Sequence, residues 1–95
     1  MLDKNESFRV DPEIVLRKEE DGAFLFEPDT GRICYLNEMG ITIWMLCEKP
    51  ITQEQITHRI CAEYPEVPQE RIEEDALAFL KELDRLGFIS ADTKA

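Results

Sequence analysis

Residues 14–37, IVLRKEEDGAFLFEPDTGRICYLN, hold three short runs of branched and aromatic residues, at 14–18, 23–27 and 32–36. The turn-forming stretches EEDG and PDTG separate them. Runs this short, cut off by Gly, Pro and Asp, have the length and composition of strands rather than helices. Connections of this kind join antiparallel neighbours, so the segment predicts a three-stranded antiparallel meander with the second run in the centre.

After Leu36 the apolar residues change from period two to helical spacing. Asn37 is placed to cap a helix over 38–48, whose MGITIWMLC is apolar almost all round and therefore expected to be buried. Lys49-Pro50 stops it. Thr52 to Gln55 has the form of a capping box and opens a second helix that ends near Tyr64-Pro65. Pro68 fits the first position of a third helix, 68–86, in which Ile72, Ala76, Phe79, Leu83 and Leu86 recur at intervals of three and four. Gly87 is the expected C-cap. The fold class is thus α+β, a three-stranded meander followed by three helices, with a winged-helix-like order. Residues 12–89 are expected to form one domain, with a flexible arm over 1–11 and a flexible tail over 90–95.

The two edges of such a meander are unequal. The first strand ends in Arg17-Lys18-Glu19-Glu20, the sort of charge that blunts an edge, whereas the third has Ile33 and Tyr35 on one face and Cys34 and Leu36 on the other. Only Arg32 guards that third strand. An edge that is apolar on both faces has to be covered by the protein's own helices, by a second copy of the chain, or by a guest peptide added as a strand.

Composition narrows the guests. With 21 acidic and 11 basic residues the formal charge is -10, and no basic cluster offsets it, which argues against nucleic acid and against an anionic membrane surface. A winged-helix DNA reader is the runner-up for this element order. Yet the outward positions of the third helix, including Arg71, Glu74, Asp75, Glu82 and Arg85, are as acidic as they are basic. A homodimer hiding the same edge is the other alternative.

Catalytic signatures are missing: there is no HExxH, GxGxxG, GxxxxGK[ST] or GxSxG. His58 is the single histidine, and Cys34, Cys47 and Cys61 have no ligand spacing, so neither catalysis, a metal nor a cofactor is expected. The same thiols, without a signal peptide or an apolar run of membrane length, point to a soluble protein of the reducing cytoplasm.

An ordered set of residues then carries a family resemblance. It runs from Arg17 through the Gly and Pro/Gly turns to Leu36-Asn37, Gly40 and Trp44, continues with Pro50-Ile51-Thr52 and Ile56, and closes on FLKELDRLGFI at 79–89. This resembles the PqqD family, peptide chaperones also called recognition elements for ribosomally synthesised, post-translationally modified peptides (RiPPs). The resemblance implies binding of a precursor's leader segment as an added strand, and its delivery to a modifying enzyme, often a radical S-adenosylmethionine (SAM) enzyme. It implies a peptide site on Arg32, Ile33, Cys34, Tyr35, Leu36 and Asn37 of the third strand. The facing helix would contribute Ile72, Asp75, Ala76, Phe79, Leu80 and Leu83.

Overall fold

The computed structural model describes residues 6–91. The expected meander is present as β2 (Val15–Glu19), β3 (Gly22–Phe26) and β4 (Ile33–Leu36), antiparallel in the order β2-β3-β4. Register pairs Leu16 with Leu25 and Leu25 with Cys34, so these side chains share the inner face. Gly22, at φ 155°, makes the tight β2–β3 turn, and a Cβ there would lie 2.4 Å from the Leu36 carbonyl oxygen.

The helices follow as α1 (Glu38–Leu46), α2 (Gln53–Glu63) and α3 (Gln69–Leu86), completing the α+β fold. Each start has a local cause. Asn37 Oδ1 accepts from the Gly40 amide at 2.8 Å, and Thr52 and Gln55 exchange the two hydrogen bonds of a capping box. Pro68 sits one position outside α3, in extended conformation at ψ 140°, rather than inside its first turn. Its carbonyl accepts from the Arg71 and Ile72 amides instead. Gly87, left-handed at φ 79°, ends α3. α1 closes at Leu46, two residues before the expected 48, because Cys47 already turns out of helical geometry.

One element was not expected. Residues Ser7–Val10 form strand β1, which lies between β5 (Ile51–Thr52) and β6 (Ile89–Ala91) in a second three-stranded sheet, ordered β5-β1-β6. The flexible arm over 1–11 is therefore corrected for this stretch, and the flexible tail over 90–95 is corrected at Ser90 and Ala91; residues 1–5 and 92–95 lie outside the described part. The physical reason is Phe8, which is fully buried beside Ile51 and Ile89. Val10 also donates its amide to the Cys47 carbonyl at the end of α1, and Asp11 donates to Phe88 just past α3. This second sheet fastens the ends of all three helical segments to one another.

The core lies between the inner face of the meander and the helices, around Leu25, Leu36, Ile43, Ile56, Ile60, Leu80, Leu83 and Phe88. α3 contributes Ile72, Ala76, Leu80 and Leu83, a stripe with no solvent exposure. At roughly 1.5–3 kcal/mol per fully buried large aliphatic side chain, this face fixes how α3 lies against the sheet. Among the described residues no helix is long and apolar enough to cross a membrane.

Candidate functional site: the edge of β4 and the flank of α3

Among the described residues β4 is an edge strand, with β3 on one side and no strand on the other. The Glu27 amide donates to the Arg32 carbonyl at 2.9 Å, which fixes the phase of the β3–β4 ladder. Counting on through the register, Cys34 and Leu36 turn their backbone groups toward β3, and Ile33 and Tyr35 turn theirs outward. The free edge therefore offers the N–H and C=O of two residues to an incoming strand.

α3 runs antiparallel to β4 along this edge, and contacts at the two ends fix the alignment. The Arg32 guanidinium stands 5.6 Å over the Phe88 ring, just beyond the helix C-terminus. In the middle, the Glu82 carboxylate acts on the Cys34 thiol, whose pKa is raised first by burial and then by that charge. At the far end, Leu36 and Gly40 meet Phe79: a Cβ on Gly40 would lie 3.4 Å from both the Leu36 Cβ and the Phe79 ring. Phe79 and Leu86 are only partly buried, and with Asp75 and Glu82 they lie on the flank of α3 next to its core stripe. β4 and this flank border one stretch of surface, the candidate groove, with the strand as one wall and the flank as the other.

The groove's borders are charge-balanced, although the chain carries -10 overall. Arg32 binds Glu27, Arg71 faces Asp75 at 3.6 Å and Arg85 forks onto Glu82. Hydrogen bonds from Thr30 and Arg32 hold Glu27 below the usual carboxylate range, and Arg85 does the same for Glu82. These exposed pairs add little stability. They do leave the groove without an unpaired charge from Glu27, Asp75 or Glu82.

The residues inferred from sequence divide into four groups. Cys34 and Leu36 face inward on β4, and Asp75 and Phe79 lie on the flank of α3 that borders the groove. Ile72, Ala76, Leu80 and Leu83 are fully buried, and this corrects their assignment to the groove wall: they hold α3 in place and touch no surface. Ile33 and Tyr35 stand on the outer face of the sheet, away from α3. Tyr35 leans back over β3, with its ring edge-on to Phe24 at 5.4 Å and its hydroxyl donating to the Asp21 carbonyl at 2.7 Å. Asn37 caps α1, and Arg32 closes one end of the groove.

Sequence reasoning did not single out Glu82 and Leu86 as wall residues. Their signal is the helical angle just off the stripe of Ile72, Ala76 and Leu83, where apolar and acidic residues mix.

A separate concavity of about 710 Å³ lies on the opposite flank of α3, between it and α2, lined in part by Ile51, Thr57, His58, Cys61 and Glu73. Among the described residues no three His, Cys, Asp or Glu side chains come together as a metal site.

Several solved structures share this architecture, although no curated protein sequence matches. "TbiB1 in Complex with the TbiA(beta) Leader Peptide" is 29% identical, with a TM-score of 0.72, over 92% of this chain and 98% of that one. Lasso peptide synthetase B1 complexed with the leader peptide is 24% identical, TM-score 0.73, over 87% and 96% of the two chains. The PqqD truncation of Methylobacterium extorquens PqqCD, described as a stand-alone RiPP recognition element, is 21% identical, TM-score 0.76, over 95% of both. The model of the family "Coenzyme PQQ synthesis protein D (PqqD)" matches residues 22–89, which take in β3, β4 and all three helices, so the chain belongs to the PqqD family.

Proposed function

We propose that this protein binds the leader segment of a ribosomally made precursor peptide as an added strand on β4, against α3, and presents the remainder to a modifying enzyme. The observation that carries the reading is the outward-facing backbone of Ile33 and Tyr35 beside a partly apolar helix flank. A guest strand there gains ladder hydrogen bonds from its main chain, while alternate side chains settle between Cys34, Phe79 and Leu86. Family membership and the leader peptide bound to TbiB1 support the same reading.

On this reading the protein supplies a surface and no catalytic group. The chemistry belongs to the partner, and the radical SAM class is the partner type we put forward. The free thiols Cys34, Cys47 and Cys61 suit action in a reducing cytoplasm.

Hydrogen exchange tests the strand directly. Saturation with a cognate leader peptide is expected to protect the Ile33 and Tyr35 amides, which have no partner in the β2-β3-β4 ladder, and to leave Cys34, already facing β3, nearly unchanged. If both outward amides exchange as fast with peptide as without it, strand addition at β4 is wrong.

A further inference from the structure

An antiparallel sheet with one face packed and the other in water normally turns polar side chains outward. The meander departs from that rule. Of the exposed large apolar residues Val15, Phe26, Ile33, Tyr35 and Met45, all but Met45 stand on the outer face of this sheet. The register arranges them in two cross-strand rows, Val15–Phe26–Ile33 and Arg17–Phe24–Tyr35.

The rows end differently at the free edge. The second is closed by Tyr35, which packs on Phe24 and ties its hydroxyl back to Asp21. The first is open. Ile33 is its last member, is 58% exposed, and has no neighbouring strand on its outer side among the described residues. A strand added to β4 in either direction places a residue beside Ile33 with its side chain on the same face, because side chains on paired strands alternate in step.

We infer that Ile33 selects the guest residue beside it, so that the guest peptide carries a β-branched or aromatic residue outward at that position as well as apolar residues inward toward the groove. This rests on strand addition at β4. It adds that the guest is apolar on both faces where it pairs, rather than alternating apolar with polar. A second copy of the chain is disfavoured as the occupant, since two copies each carrying -10 repel one another.

Selection from a random peptide library tests this without knowledge of the natural leader. The library is panned on the full chain and, in parallel, on Ile33→Glu, and binders are located by amide shifts. Ile33 points away from the core and from the groove, so a role confined to the fold leaves the selected sequences unchanged. The expected result is a branched or aromatic residue at one outward position on the wild type, and Lys or Arg at that same position on the variant, with the inward positions conserved. Peptides chosen on the wild type should bind the milder Ile33→Thr roughly twofold to fivefold more weakly. Binders that map to β4 and α3 but share the same outward residue on both proteins would overturn the role of Ile33 and leave strand addition standing. An empty selection, shifts confined to other elements, or a concentration-dependent doubling of mass that no selected peptide reverses would overturn strand addition itself.

Discussion

The two three-stranded sheets of this small protein do opposite things with their hydrogen-bonding edges. In β5-β1-β6 the central strand comes from one end of the described chain and pairs with strands from its middle and its other end. Its ladder, with the amides of Val10 and Asp11, is spent on tying α1, α2 and α3 together. In β2-β3-β4 the strands are neighbours in sequence, the sheet would close from the hairpins alone, and β4 is left with a bare edge. The difference suggests a division of labour: one sheet holds the helices so that the other can stay open. A domain of this size has little core to spare, and an unpaired edge is tolerable only where the rest is well fastened.

The largest effect that could break this contrast is at Phe8. Phe8→Ala is expected to cost about 3–5 kcal/mol in urea unfolding, as for other buried aromatic truncations, whereas Val15→Ala on the outer face of the meander should change stability by less than about 0.5 kcal/mol. Equal costs would mean that the second sheet is not the fastening. Next in size is Thr52→Ala, which removes the hydroxyl that caps α2 at the point where β5 meets β1. A loss of about 1 kcal/mol is expected in the same measurement, and no loss would show that the cap is dispensable.

The smallest effect is a titration in the meander. Glu27 is held below its ordinary value of 4.5 by Thr30 and Arg32, so the β3–β4 turn keeps its full contribution above that value and loses it only as the pH falls through the lowered one. The Gly31 amide, which donates to the Glu27 carbonyl at 2.7 Å, should report a midpoint below 4.5 in an acid titration. A midpoint at or above 4.5 would mean that the Arg32 clasp does not form.

How much the sequence revealed follows the same division. β2, β3 and β4 were legible because their partners are adjacent and their turns carry Gly, Pro and Asp. Asn37, Thr52 and Gly87 announced helix ends through chemistry local to each. β5 and β6 are two and three residues long, too short to show a period, and β1, though as long as β4, finds its partners roughly half a chain or more away. The only hint was a few isolated apolar residues, Leu2, Phe8 and Val10, in a largely polar stretch. The groove was half legible. Its strand wall stood out as an undefended edge, but the period of α3 runs the buried Ile72, Ala76 and Leu83 together with the partly buried Phe79 and Leu86, and spacing alone does not separate the core stripe from the flank beside it.

The β1–β6 ladder pairs Phe8 with Ala91. During synthesis the meander and α1 can form early, while β1 has no partner on that side until residue 91 has left the ribosome, so closure of the longest loop comes last. The same pairing brings the two ends of the described chain side by side. A circular permutant that joins them through a short linker and opens the exposed β2–β3 turn should therefore keep every ladder of the second sheet, with β1–β6 closing as a local hairpin instead of across the longest loop.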